Sequence, residues 1–266
     1  MIRQKKFYLL LLSTFLGLFC LNFKQPTVVA KTTLTMGILQ NDRPYSFTQK
    51  NKQQGFSIEL AHKIAITTNN NIKFKSYSSQ KELQNALRSG EIDFFVGDKA
   101  NFSKNYQSTP AFLYPKNVLF TRHDAKAKNL DRLTKKKVGL LQTGSQTALL
   151  RELSLHPVTY SDQTKLLEAL ANGKIAAGIL NDFTYYELLK NDPNLAKASS
   201  NADKTTRQAV LYRIADPNII ASELSFITYR QPQLNTSLAT ALKKLKKDQT
   251  LADLSQKYFY KDLTLE

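Results

Sequence analysis

The segment Leu83-x-x-Ala86-Leu87-x-x-Gly90-x-Ile92 returns 83 positions later as Leu166-x-x-Ala169-Leu170-x-x-Gly173-x-Ile175. In each copy the i, i+3, i+4 apolar spacing marks one face of a helix, and the glycine stands where a left-handed residue ends it. A short apolar run follows, Ile92 to Val96 and Ile175 to Leu180, as expected for a strand buried in a parallel sheet. Both runs end in polar pairs, Gly97-Asp98 and Asn181-Asp182. A second echo precedes the first. Gly37-Ile38-Leu39-Gln40 and Gly139-Leu140-Leu141-Gln142 each begin a strand, then a polar loop, then a helix, Ile58 to Ile66 in one case and Gln146 to Leu153 in the other. The order strand, loop, helix, strand, helix, strand therefore occurs twice. Such alternation predicts parallel sheets flanked by helices with right-handed crossovers, and its repetition predicts two α/β lobes. The spacing is far too long for a solenoid period, so it reads as lobe duplication.

The rest of the chain extends this plan. Leu224 to Tyr229 reads as one more strand, followed by a lysine-rich helix with Leu238, Leu242 and Leu245 on its apolar stripe and by a closing helical segment, Leu251 to Phe259. Between Asp192 and Ser222 the pattern is weak and rich in Asn, Asp, Ser and Thr, which predicts loop with one strand near Ala209 to Ile214.

The first thirty residues stand apart. Arg3, Lys5 and Lys6 precede an apolar run from Phe7 to Leu21, and Val28-Val29-Ala30 places small residues before a cut. This is the pattern of a secretory signal peptide, and its apolar run is shorter than the ~20 residues of a membrane span. Two other uses are open: an uncleaved anchor closed by Lys24 and Gln25, or a lipid-modified Cys20, although Phe19 is bulky for that cleavage. Removing residues 1–30 takes away four basic residues and no acid, leaving 34 basic against 21 acidic side chains, a net charge of +13. It also removes the one cysteine, so disulfides cannot staple the remaining chain. A chain of this length does not need them. Export and dispersed lysines argue against nucleic acid. The clusters Lys135-Lys136-Lys137 and Lys243-Lys244-x-Lys246-Lys247 read as solvated faces, or as a surface attracted to an anionic cell envelope.

Further motifs carry a resemblance. Arg43-Pro44-Tyr45-Ser46-Phe47, Gly55-Phe56-Ser57-Ile58-Glu59-Leu60-Ala61, Leu130-Asp131 through Val138-Gly139, Gln142-Thr143-Gly144-Ser145 and Leu254-x-x-Lys257-Tyr258-Phe259 follow one another in a fixed order. From about Leu34 to Phe259 the chain resembles the type 2 periplasmic-binding-protein fold and, within it, the amino-acid-binding components of ABC importers. The resemblance implies two lobes, each a mostly parallel sheet flanked by helices, joined by crossover strands near Asn117 to Arg122 and Leu224 to Tyr229. Lobe one would take residues 31–117 and 227–266, and lobe two residues 118–226. A small-molecule solute would be captured in the cleft of a monomer and handed to an ABC permease, with no cofactor and no nucleic acid involved.

Ligands of open α/β sheets sit at the carboxyl ends of strands, which here are Asp42, Asp98, Thr143-Gly144-Ser145 and Asn181-Asp182. Thr143, Gly144, Ser145 and Gln146 open a helix, so their backbone N–H groups favour an anion. Asp182 matches the family's holder of the ligand's ammonium group; the N-cap of a helix Phe183 to Lys190 is an equally good use of its chemistry. The family's carboxylate-gripping arginine is missing. In Gly97 to Asn105 its place falls to Lys104 or Asn105, and lysine cannot reproduce the planar fork. Asp42 stands where relatives often stack an aromatic ring, with Tyr45 nearby. Carboxyls at Asp42, Asp98 and Asp182 therefore favour a cationic or amine-bearing ligand, unless Asp42 and Asp98 are ordinary loop acids.

Three functions compete: a solute-binding component of an importer, a degenerate envelope or sensor protein of the same fold, and a lyase on the same scaffold. The histidines His62, His123 and His156 are scattered without metal-ligand spacing, and Ser145 has no evident base, so catalysis and a metal are not expected.

Overall fold

The computed structural model describes residues 31–195 and 210–266; the expected signal segment lies outside them, as does the beginning of the strand expected from Ala209. Among the described residues no helix is long and apolar enough to cross a membrane.

The two echoes turn out to be two halves of one packing unit. β1 (Thr33–Leu39) carries Gly37, and β8 (Lys137–Leu141) carries Gly139. A Cβ on Gly37 would stand 2.4 Å from Ile92 Cδ1 and 2.6 Å from Leu83 Cδ2; one on Gly139 would stand 2.5 Å from Ile175 Cδ1 and 3.3 Å from Leu166 Cγ. Each glycine thus makes room for the same isoleucine and leucine of the following helix–glycine–strand piece. Those helices are α2 (Gln80–Ser89), following α1 (Phe56–Thr67), and α4 (Gln163–Ala171), following α3 (Thr147–Glu152). Gly90 and Gly173 adopt the expected left-handed conformation, at φ 76° and 70°. Both helices are capped alike, Ser79 accepting from the Glu82 N–H and Asp162 from the Lys165 N–H.

The sheets repeat the same plan. In the first, the order is β4 (Asn71–Tyr77), β1, β5 (Phe94–Asp98), β12 (Leu224–Tyr229), β6 (Tyr106–Ser108). In the second it is β9 (His156–Tyr160), β8, β10 (Ala177–Asn181), β7 (Asn117–Arg122), β11 (Leu211–Ile214). Three strands in each are mutually parallel, and the fourth position is filled by an antiparallel strand arriving from the other lobe. β7 follows β6 across one connection, and β12 follows β11 across the other. β12 pairs along its length within the first sheet, so the division expected at 226–227 passes through a strand. The small hairpin β2 (Phe47–Gln49) and β3 (Lys52–Gln54) stands beside the first sheet.

The crossovers run side by side. Leu113 bridges Leu224, the Ser222 N–H donates to Pro115 O at 3.0 Å, and Asn117 Nδ2 donates to Ile220 O at 2.8 Å. One core joins β1, α1 and the C-terminal helices α6 (Pro232–Lys247) and α7 (Thr250–Phe259), with Phe56, Phe94 and Phe226 fully buried. On α6 the expected leucines face inward while Lys243, Lys244 and Lys247 remain exposed. Thr32–Glu266 is one compact unit with its own cores.

Candidate functional site

The strand ends of both sheets meet at a cleft of about 760 Å³, its solvent mouth included. Asp42, Tyr45, Thr143, Gly144, Ser145 and Gln146 line it; Asp98, Lys104 and Asp182 do not.

Asp42 is delivered by a tight turn after β1. Its N–H donates to Ser46 O at 2.8 Å, the Ser46 N–H donates back at 2.9 Å, and Ser46 Oγ donates to Leu39 O. The first N–H groups of α1 hold the other side of the turn, Phe56 N donating to Pro44 O and Ser57 N to Tyr45 O. These are helix-terminal donors with no partner inside the helix, so the turn is fixed by groups that need it. The Asp42 carboxyl is half-buried and makes no hydrogen bond or ion pair among the described residues. Desolvation pushes its pKa up to about 7. Tyr45 is raised well above the ordinary tyrosine value, by its burial first and then by the carboxyls of Asp42 and Asp182.

A carboxyl that is easier to protonate in the folded protein than in the unfolded chain lowers stability as it ionises. Asp42→Asn should therefore match the parent chain near about pH 3, below the unfolded-state value, and exceed it by on the order of 1 kcal/mol near about pH 8, after allowing for solvent in the cleft. Urea unfolding at the two pH values checks this; parallel curves for the two proteins would contradict it.

Asp182 follows the lining residue Asn181 but does not itself line the cleft, and its expected roles divide differently. The cap of α5 (Asp182–Asn191) is Asn181, whose side chain accepts from the Thr184 N–H at 2.8 Å. Asp182 is the first helical residue, buried, and its Oδ2 is ion-paired with Lys261 Nζ from the segment after α7. A side chain of the protein thus fills the place expected for a ligand ammonium. Sequence reasoning missed Lys261 because it stands 79 positions away, in a stretch without pattern.

Asp98 turns inward instead of into the cleft. It is buried and caps the short 3-10 turn Lys99–Asn101 by accepting from the Ala100 N–H at 3.0 Å, and burial raises its pKa. Lys104 is exposed on the following turn, with no hydrogen bond or ion pair among the described residues.

The Thr143–Gln146 turn is engaged by the opposite lobe. Gln80 donates from its backbone to Gln142 O and from Nε2 to Thr143 O. Asn101 Nδ2 donates to Ser145 O at 2.6 Å, while Asn101 Oδ1 accepts from the Ala148 N–H at 2.9 Å. α3, expected over Gln146 to Leu153, has six helical residues and uses its free N–H at Ala148 on this carboxamide. Gln146 is buried and donates to Asn117 Oδ1 at 3.1 Å, which makes it a support of the crossover. Gln80 and Asn101 were not singled out from the sequence; Asn101 lies in the segment read only for its missing arginine.

The model of the bacterial extracellular solute-binding proteins, family 3, matches residues 34–261. This chain belongs to that family. Among relatives of the solute-binding domain, the probable histidine-binding protein of Campylobacter jejuni is 29% identical over 219 residues, 75% of this chain and 83% of its own length. The membrane-bound lytic murein transglycosylase F of Shewanella woodyi is 26% identical over 245 residues, 88% of this chain but 48% of its own length. The chain thus spans about half the length of the transglycosylases that it matches. The solved arginine-, lysine-, histidine-binding protein ArtJ of Geobacillus stearothermophilus superposes with a TM-score of 0.66 at 21% identity, covering 87% of this chain and 96% of that one. Likeness at that level shows a shared fold.

Proposed function

We propose that this chain is the exported substrate-capturing component of an ABC importer, taking a small polar solute, an amino acid or related amine-bearing compound, into the inter-lobe cleft. The observation that carries the reading is the cleft itself, with an unpaired carboxyl on one lobe facing a polar turn on the other. A group left partly desolvated and unpartnered in a concave site is what a ligand can complete. The chain binds without turnover and works as a monomer, delivering its solute to a membrane permease. The family membership and the similarity to a probable histidine-binding protein support this reading.

A second reading has an observation of its own. Lys261 on Asp182 and Asn101 on the Ala148 N–H supply, from the protein itself, a cation and a polar acceptor at the places expected for the two ends of an amino acid. An envelope or sensor protein that closes on itself would have such contacts. The similarity to murein transglycosylases adds murein fragments to the compounds worth testing.

Thermal shift of residues 31–266 against amino acids, polyamines, short peptides and muramyl peptides separates the readings. A bound ligand at ~100 times its Kd adds about 2.7 kcal/mol of stability. A clear shift with at least one small solute is expected. A flat response across the panel favours the self-closed protein, and chemical conversion of the bound compound would point to an enzyme.

A further inference from the structure

We propose that the cleft takes an organic cation that lacks a carboxylate, such as an alkylamine, polyamine or guanidine, with its charged end seated on Asp42. This rests on reading the cleft as a solute site and narrows what the solute can be.

The residues lining the cleft include one carboxyl, Asp42, and one phenol, Tyr45; no lysine, arginine or histidine is among them. The nearby bases are engaged elsewhere or face away. Arg43 stacks its guanidinium over the Phe47 ring at 3.9 Å, Lys261 is paired with Asp182, and Lys104 is exposed outside the cleft. A zwitterionic amino acid would bring its carboxylate into a site with no opposing charge and with Asp42 as a like charge. Enclosing a carboxylate with neither an opposing charge nor free donors aimed at it costs several kcal/mol. The helix N-termini at the cleft do not mend this, because their N–H groups are already engaged: Phe56 and Ser57 on Pro44 O and Tyr45 O, Gln80 on Gln142 O, Thr184 on Asn181 Oδ1 and Ala148 on Asn101 Oδ1.

A cation faces the opposite balance. Asp42 has no partner among the described residues to give up, so a charge-assisted hydrogen bond to its carboxylate is a net gain. The walls suit the rest of such a molecule: Met36, Ile38, Val96, Leu141, Leu180 and Leu224 present apolar surface for an alkyl body. Polar groups at Ser46, Gln80 and Asn181 can accept from a second nitrogen.

Calorimetric titration of residues 31–266 with matched pairs tests this: agmatine against arginine, cadaverine against lysine, histamine against histidine. Each pair differs by the carboxylate alone. The expected result is that at least one amine binds about tenfold or more tighter than its amino acid, and that Asp42→Asn weakens that amine by about tenfold or more. An amino acid binding tighter than its amine overturns the inference while leaving the solute-binding reading intact. Equal affinity of Asp42→Asn and the parent chain for the amine also overturns it. If no member of any pair binds, the inference fails, and the wider thermal-shift panel decides the solute-binding reading separately. Should Asp42→Asn not fold, the matched pairs on the parent chain decide alone.

Discussion

Gly55→Ala is expected to lower stability by on the order of 3 kcal/mol and to impair ligand binding at the same time. Gly55 precedes α1 at φ 128° and ψ 168°, a region that side chains rarely enter. A Cβ there would lie 2.3 Å from Tyr45 O, 2.7 Å from Tyr45 C and 2.9 Å from Ser46 N, all backbone atoms. The turn cannot retreat freely, because Pro44 O and Tyr45 O are held by the Phe56 and Ser57 N–H groups. Relief of the clash must therefore break those hydrogen bonds or shift the turn that carries Asp42. Gly90→Ala is the control. Gly90 also has positive φ, 76°, but a Cβ there meets nothing within 4 Å, so its cost is the conformational one of about 1 kcal/mol. Urea unfolding of the two variants gives the comparison. If Gly55→Ala proves no worse than Gly90→Ala, the turn is not held as described.

Lys261→Met should cost about 2–3 kcal/mol, the second large effect. The Asp182 side chain is 7% exposed and the Lys261 side chain 44% exposed, so removing the lysine strands a buried carboxylate. Breaking a buried pair costs ~3–5 kcal/mol, and the solvent access of Lys261 places this one at the lower end. Adding Asp182→Asn to Lys261→Met should recover most of the loss, because no buried charge is then left alone. Chemical denaturation of the parent, the two single variants and the double variant measures the coupling. Additive losses would mean that the pair contributes nothing. The Phe183 and Phe259 rings that pack beside it, with centroids 6.1 Å apart, are untouched by either substitution.

The duplication was legible because it is written in local pattern. Helix faces at Leu83-Ala86-Leu87 and Leu166-Ala169-Leu170, stop glycines and apolar strands each depend on neighbours in sequence. What packs across was legible only in outline. Gly37 and Gly139 were read as strand openings, and their use, to admit Ile92 with Leu83 and Ile175 with Leu166, depends on three elements meeting. Among the site residues, Asp42, Tyr45 and the Thr143–Gln146 turn reach the cleft because strand ends place them there. Asp98 and Lys104 were on the right segment, but facing depends on the 3-10 turn Lys99–Asn101, which no periodicity announces. The Lys261–Asp182 pair and the Asn101 contacts join residues 79, 44 and 47 positions apart; lone polar residues in loops carry no pattern that reveals their partners.

The Asn101 carboxamide grips both an acceptor and a donor of the facing lobe, Ser145 O and the Ala148 N–H, beside the two contacts from Gln80. This has a consequence for the tempo of capture. On the proposed reading, a solute would have to wait for these bonds to part, so above some concentration the speed of uptake would be set by spontaneous opening and more solute would no longer hasten it. The same bonds, re-formed around a captured molecule, would lengthen its stay. Such a clasp would exchange quick sampling of the surroundings for long retention.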